Sequence, residues 1–189
     1  MARALVIVDV QPTFCEGGAL AVEGGNDVAQ RVARYAEKKA DDYDVVVTTQ
    51  DWHIDPGGHF SDSPDFVDTW PAHGVAGTPE AELHPALDAV AIDYQLQKGQ
   101  YEAAYSGFEG ACPDGSDLAD ILRDEGVDEV DLVGLAYSHC VKETALDAAQ
   151  HKFLRRIRIL KDLTASVSPE TEATADQELA ATRVVVTNS

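Results

Sequence analysis

The chain has little positive charge. Of its 189 residues, 14 are Lys or Arg and 34 are Asp or Glu, which gives a formal net charge of -20. Nucleic acids and anionic membrane surfaces are bound through clusters of cations, so this deficit argues against both kinds of partner. No apolar run is long enough to span a bilayer. Asp9 also interrupts the apolar stretch at the N-terminus, so we expect a cytoplasmic protein rather than a secreted one.

Cysteine is also scarce, with only Cys15, Cys112 and Cys140 in the chain. An odd number of widely spaced cysteines without a C-x-x-C pair predicts neither a disulfide framework nor a thiolate zinc site. At least one thiol is therefore expected to be free. A chain of this length that folds as one domain buries roughly 70% of its unfolded surface. We therefore expect a single domain over residues 1–189 that needs no covalent crosslink.

Strand-like and helix-like segments alternate along the chain. This alternation predicts an α/β fold, a three-layer α/β/α sandwich around a six-stranded, mainly parallel sheet. Strands are predicted near 3–9, 44–49, 89–97, 129–135, 155–160 and 183–187. Helices are predicted near 26–40, 116–126, 139–151 and 170–181, with Asn26 as an N-cap, a start at Ser116, and Pro169 in the first turn of the last helix.

Residues 50–85 interrupt this alternation with a segment rich in proline, glycine, histidine and aromatic residues. A long segment without periodicity in a compact domain is usually functional, and the aromatic content argues against disorder. Asp51 and His53 lie two apart in an extended segment and point the same way. A Pro-Gly-Gly turn could bring His59 beside them, and His73 could complete the set. One carboxylate and three imidazoles suit zinc, iron or manganese, although a surface or capping role stays open for each histidine alone.

Asp9, Lys98 and Cys140 each follow a strand-like apolar run. The carboxyl ends of parallel strands meet at one edge of the sheet, so we expect a carboxylate, a cation and a thiol to gather there. These are the components of a nucleophilic cysteine hydrolase. Cys140 is expected at a helix N-terminus that begins near Ser138, where the thiolate and an oxyanion are stabilised. The alternatives are a small buried cysteine, a solvated aspartate at a strand end and an ordinary turn lysine.

Aromatic residues are expected near the same edge. Phe14 follows Asp9 and Trp70 precedes His73, so a flat heteroaromatic substrate could stack between Phe14 and Trp70. Leu20 and Val22 could form the remaining wall. Ordinary core filling is the alternative for these side chains.

Together these segments resemble the nicotinamidase/pyrazinamidase branch of the isochorismatase-like cysteine hydrolases. The resemblance covers nearly the whole chain. It rests on residues 4–11 with Phe14, on 51–57, 70–73, 77–78 and 98–99, and on 105–108, 127–130, 134–136 and 139–141.

The resemblance implies a catalytic triad of Asp9, Lys98 and Cys140. It also implies an oxyanion hole from the backbone N–H groups of Ala136 and Cys140, with a cis peptide before Ala136. By the same resemblance, Asp51, His53 and His73 would be ligands of one divalent metal ion, zinc first and iron or manganese next, and His59 would be the further ligand of one subset. The implied substrate-binding residues are Phe14, Leu20, Val22, Trp70, Tyr105, Tyr137 and His139.

The implied reaction converts nicotinamide to nicotinate and ammonia through a Cys140 thioester. Pyrazinamide is expected as a second substrate, and the chain is expected to be a monomer or homodimer.

The sequence departs from the family pattern at residues 137–138, where relatives more often have Thr-Asp, and at Gly58, where an Asp is common. Two alternatives remain: a related hydrolase for another small amide or carbamoyl compound, and a metal-binding or sensory protein without turnover.

Overall fold

A six-stranded sheet forms the centre of the protein, whose computed structural model describes residues 2–189. Every strand pairing in this sheet is parallel, which confirms the predicted fold class and makes the sheet wholly rather than mainly parallel. The strands are β1 (Ala2–Val8), β2 (Val45–Asp51), β3 (Tyr94–Lys98), β4 (Val127–Leu135), β5 (Arg156–Ala165) and β6 (Val185–Thr187), in the order β3-β2-β1-β4-β5-β6.

Helices cover both faces of the sheet. They are α1 (Gly25–Lys38), α2 (Leu118–Asp124), α3 (Lys142–Gln150) and α4 (Pro169–Ala180). Because side chains alternate along a strand, Leu5 and Ile7 of β1 pack in the cluster that contains α1, whereas Val6 and Val8 pack in the cluster that contains α2, α3 and α4. Among residues 2–189, none of the helices has the length and apolar character that a membrane span needs.

The predicted N-cap of α1 and the predicted start of α2 are wrong, and the structure shows what replaces them. Gly24 rather than Asn26 precedes α1, and the carboxylate of Glu16 accepts hydrogen bonds from the backbone N–H groups of both, at 2.6 and 2.8 Å. The helix α2 begins at Leu118 rather than at Ser116, and Asp117 caps it. A local sequence pattern does not reveal a cap such as Glu16, which comes from another segment of the chain.

The predicted place of Pro169 in the first turn of α4 is confirmed. Ser168 accepts a hydrogen bond from the backbone of Thr171, and Pro169 occupies the first turn. The predicted strand near 89–97 begins later, at Tyr94, because Val90 closes a turn after the short 3-10 helix Pro85–Leu87 by donating to Leu87.

The strand order places a switch point between β1 and β4. The chain leaves β1 toward one side of the sheet and β4 toward the other, so a crevice opens beyond the carboxyl ends of these two strands. Gly134 marks their close approach, since its φ is +111° and an added Cβ would lie 2.1 Å from the carbonyl oxygen of Val8. The residues that follow β1 and β4 therefore face the same crevice.

We expect the change Gly134→Ala to destabilise the fold by more than about 3 kcal/mol, because a side chain there meets backbone and forces an unfavourable φ. Gly126→Ala is the matched control: its φ is +66°, but an added Cβ meets nothing within 4 Å. This control is expected to cost only about 1 kcal/mol. Urea unfolding measures both, and equal midpoints for the two variants would contradict the close approach of β1 and β4.

Candidate active site and metal site

A buried ammonium group is the centre of the site. Lys98 ends β3 with only 1% of its surface exposed. Its Nζ lies 2.9 Å from Oδ2 of Asp9 and donates to Oδ1 of Asp51. It also lies 3.2 Å from the carbonyl oxygen of Ala104 and 3.7 Å from Sγ of Cys140. The structure thus brings the three predicted catalytic residues together and adds Asp51, which the sequence analysis placed only among the metal ligands.

Asp9 follows β1 in a left-handed backbone conformation, with a φ of +46°. Its side chain is completely buried, so the solvated strand-end alternative does not apply. Oδ1 accepts a hydrogen bond of 2.7 Å from the hydroxyl of Thr49, and Oδ2 faces Lys98. Both carboxylate oxygens therefore have a partner that fixes their direction.

Asp51 ends β2, beyond the last residue of β1 that pairs with that strand. Gln11 takes the place of the missing strand neighbour. Its side-chain oxygen accepts from the backbone N–H of Asp51 at 2.9 Å, and its Nε2 donates to the carbonyl oxygens of Asp51 at 3.0 Å and Ala81 at 2.7 Å. The side-chain amide of Gln11 thus continues the strand ladder and holds Asp51 in position.

Burial and charge set the protonation states of the acidic groups. Burial raises the pKa of the Cys140 thiol well above its ordinary value, although Lys98 opposes this shift. Burial also raises the pKa of Asp9, again against the effect of Lys98. Burial alone would raise the pKa of Asp51 too, but Lys98, with His53 and His73 nearby, holds it well below the ordinary value. Asp51 therefore keeps its negative charge, whereas Asp9 binds a proton more readily than an ordinary aspartate does.

Lys98 remains charged despite its burial. Desolvation alone would lower the pKa of its ammonium group, but Asp51 and Asp9 raise the pKa well above its ordinary value. A protonated Cys140 thiol thus lies beside a permanent cation and a carboxylate, and Asp9 is the group able to remove the thiol proton.

Cys140 lies in a π-helical turn, Tyr137–Val141, that precedes α3. The expected helix N-terminus is thus present, with a wider first turn than predicted. The peptide bond between Leu135 and Ala136 is cis, as the resemblance implies. Cys140 and Ala136 both contribute to the wall of a cavity, which excludes a thiol sealed in the core.

Three imidazoles form a cluster beside Lys98. His53, His59 and His73 are buried, and one ring nitrogen from each lies within 4.8 Å of the others, so the cluster could hold a metal ion. Nδ1 of His53 lies 2.5 Å from the carbonyl oxygen of Gly99, and Nδ1 of His73 lies 2.8 Å from that of Pro71. A carbonyl oxygen can only accept a hydrogen bond, so Nδ1 of each ring must be the donor that carries the proton, and Nε2 of both rings is left able to bind a metal.

Unpartnered polar atoms support this interpretation. Nε2 of His53 and Nδ1 of His59 are buried without a hydrogen-bond partner among the described residues, an arrangement that is costly unless a ligand completes it. Oδ2 of Asp51 lies 3.5 Å from Nε2 of His53 and 3.6 Å from Nε2 of His73. Burial, with His73 and His53 nearby, lowers the pKa of His59 to about 4, so this ring is neutral at pH 7, as a metal ligand must be. The residues present therefore fit a divalent metal ion.

An apolar cavity of about 350 Å³ adjoins both groups. Nε1 of Trp70 donates a 3.0 Å hydrogen bond to the hydroxyl of Tyr105, and its ring meets His139 edge-on at 5.6 Å. The ring of Phe14 lies 5.8 Å from that of His73. Flat walls of this kind suit a flat aromatic ligand. The predicted pocket residues that line the cavity are Phe14, Leu20, Val22, Trp70, Tyr105 and His139.

Tyr137 is the predicted pocket residue that does not line this cavity. Its ring is fully buried in the core formed by α2, α3 and α4, and its hydroxyl donates to Asp176 of α4. Lys161 lies over the ring, 4.8 Å from its centre. The direction of the π-helical turn points this side chain away from the cavity. We therefore correct its expected contact with substrate to a structural contact with α4.

The cavity also has walls that the sequence analysis missed. Phe66, Val167 and Thr171 line it, as do Ala21 and Ala104. Val167 and Thr171 come from the β5–α4 connection and the first turn of α4. Because they reach the site only through the packing of α4, no local pattern marks them.

A wholly parallel sheet with a buried carboxylate, lysine and cysteine at its switch point, beside an imidazole cluster, defines a cysteine hydrolase of α/β architecture. The chain belongs to the isochorismatase family, whose domain matches residues 3–189. It is 52% identical over 177 residues, 94% of each chain, to the nicotinamidase/pyrazinamidase of Mycobacterium tuberculosis.

Two solved structures are similar over almost their whole length. One is the pyrazinamidase of Pyrococcus horikoshii in complex with zinc, with a TM-score of 0.83, 32% identity and coverage of 100% of both chains. The other is PnC1 from L. infantum in complex with nicotinate, with a TM-score of 0.84, 30% identity and coverage of 99% of this chain and 92% of the other.

We expect the change His73→Ala to weaken zinc binding by more than about 100-fold, since even partners outside the ligand set typically contribute 10- to 100-fold. His151→Ala is the control, because His151 stacks on Phe108 at 4.7 Å and is not part of the cluster. Competition with a chelating dye gives the affinities, and elemental analysis gives the metal content. Equal zinc affinity in the two variants would contradict the metal site.

Proposed function

We propose that the protein is a metal-containing nicotinamidase that hydrolyses nicotinamide to nicotinate and ammonia and also accepts pyrazinamide. The observation that carries this proposal is the contact of Lys98 with Asp9, Asp51 and Cys140 beside a cavity that Cys140 lines together with His59 and His73. The relative from M. tuberculosis is named for both activities, and the L. infantum structure is a complex with nicotinate.

Cys140 is the nucleophile in this proposal and Asp9 is the base. Asp9 takes the thiol proton as sulfur attacks the amide carbon, and the proton then passes to the amide nitrogen, so that ammonia leaves and a thioester remains. Asp9 next takes a proton from water, which attacks the thioester carbon. Nicotinate forms and the proton returns to Cys140. Lys98 keeps Asp9 oriented and offsets the negative charge on sulfur.

The backbone N–H groups of Ala136 and Cys140 form the oxyanion hole in the same proposal. Both residues line the cavity around the reacting carbon. A preorganised donor of this kind typically contributes about 3 kcal/mol to the transition state. The rate of the reaction therefore depends on the position of the turn that contains Cys140 as much as on the sulfur atom of this residue.

Asp51, His53, His59 and His73 would hold one divalent transition metal ion. The set of one carboxylate and three imidazoles suits zinc first, and iron or manganese next. When bound, the ion supplies a Lewis acid that orients the ring nitrogen of the substrate, directly or through water. Asp51 belongs to both halves of the site, because its Oδ1 accepts from Lys98 and its Oδ2 faces the imidazoles.

The cavity favours a neutral substrate over its charged product. Its lining is mainly apolar and includes no Lys or Arg side chain. Lys98 is already paired with two carboxylates. The carboxylate of nicotinate would thus lose hydration without gaining an unpaired Lys or Arg side chain from the protein, which favours its release.

Ammonia release from nicotinamide is the direct test. We expect the wild-type protein loaded with zinc to release ammonia and nicotinate, and Cys140→Ala to lose on the order of 10⁴-fold or more in kcat, as is usual for a lost nucleophile. Zinc content should stay the same, because Cys140 is not part of the imidazole cluster. Cys112→Ala is the control, since Cys112 lies outside the cavity.

The outcomes separate the alternatives. Turnover retained in Cys140→Ala would contradict the covalent route. Wild-type turnover of other small amides or carbamoyl compounds but not of nicotinamide would indicate the related hydrolase. Zinc binding without turnover of any amide would indicate a metal-binding or sensory protein.

A further inference from the structure

We propose that Thr49, Gly107 and Thr144 form a bridge that positions the carboxylate of Asp9 against the thiol of Cys140. The inference rests on the proposed function and concerns residues that do not touch the cavity. Thr49 and Thr144 are positioning residues, because each acts through the group that it holds.

Thr49 fixes the Asp9 end of the bridge. It lies on β2 and is completely buried, and its hydroxyl donates to Oδ1 of Asp9 at 2.7 Å. Its carbonyl oxygen accepts from the backbone N–H of Asp9 at 3.1 Å. Thr49 thus holds both the backbone and the carboxylate of Asp9, and Oδ2 of Asp9 remains directed at Lys98.

Thr144 fixes the Cys140 end. It lies in the first turn of α3 and is also completely buried. Its hydroxyl donates to the carbonyl oxygen of Cys140 at 2.7 Å and accepts from the backbone N–H of Gly107 at 2.8 Å. One hydroxyl therefore joins the turn that contains the nucleophile to the loop that follows β3.

Gly107 lies between the two threonines. A Cβ added to it would lie 3.0 Å from Cγ2 of Thr49 and 3.3 Å from Cγ2 of Thr144, so an added methyl group would press on both threonine side chains. The same loop includes Ala104, whose carbonyl oxygen accepts from Lys98 at 3.2 Å. Lys98 thus bonds to this loop directly and Cys140 is joined to it through Thr144, while Thr49, which holds Asp9, lies beside Gly107.

This arrangement has a kinetic consequence. A displacement of about 1 Å between reacting groups can cost on the order of 100-fold in rate. Substrate binding depends on the cavity walls and not on the bridge. A disturbed bridge should therefore lower kcat and leave KM nearly unchanged, whereas a general loss of folding would reduce the amount of active protein.

The decisive comparison is Thr49→Val with Thr48→Val. The two threonines are neighbours on β2, both are completely buried, and the hydroxyl of Thr48 has no hydrogen-bond partner among the described residues. Both changes keep the side-chain shape and remove one hydroxyl. We expect Thr49→Val to lower kcat for nicotinamide by about 10- to 100-fold with zinc bound. Thr48→Val should leave kcat within about twofold, because no hydrogen bond is lost.

Two further variants separate positioning from stability. Thr49→Ser keeps the hydroxyl and should recover most of the kcat that Thr49→Val loses. Gly107→Ala disturbs the middle of the bridge without touching Asp9 or Cys140, and should also lower kcat at an unchanged KM. Zinc content and melting temperature, measured on every variant, identify any protein that has not folded.

Similar kcat values for Thr49→Val and Thr48→Val would overturn this inference, as would a normal kcat in Gly107→Ala. If Thr49→Val does not fold, Gly107→Ala decides alone. A wild-type protein that releases no ammonia from nicotinamide would instead contradict the proposed function, so the two failures are distinguishable.

Discussion

The burial of one ammonium group between two carboxylates is the interaction on which the site depends. An unpaired charge in the interior costs several kcal/mol, and removal of one partner from a buried pair typically costs about 3–5 kcal/mol. Lys98 is therefore tolerated at the end of β3 only because β1 and β2 end in Asp9 and Asp51 beside it. The sheet aligns these three strand ends, Thr49 holds the carboxylate of Asp9, and Gln11 holds the backbone of Asp51.

The same lysine links two carboxylates whose environments differ. Lys98 holds the pKa of Asp51 well below the ordinary value despite burial, and this carboxylate also faces two imidazoles. Asp9 has a hydroxyl and the thiol as its other neighbours, and burial raises its pKa. One carboxylate is thereby suited to a permanent negative charge beside a metal ion and the other to proton transfer, which is how neighbouring acids commonly divide their roles.

The sequence supported predictions wherever a residue acts through its position in a periodic element. The apolar runs before Asp9 and Cys140 predicted β1 and β4, and the strand-end rule then predicted that their successors meet. Predictions failed where a distant segment supplies the contact. Glu16 replaces Asn26 at the start of α1, and Tyr137 turns toward α4 instead of the cavity. No local pattern contains the information that these contacts require.

The amino-acid sequence by itself determined the class of fold, the carboxylate, lysine and cysteine that meet at the sheet edge, and the histidines available for a metal, because strand periodicity and residue chemistry are local properties. Tertiary structure alone decided that Asp51 pairs with Lys98, that Val167 and Thr171 close the cavity, and that Gly107 separates two threonines. These features depend on distances of a few ångströms between segments far apart in the chain, and only the packing of the sheet and its helices sets such distances.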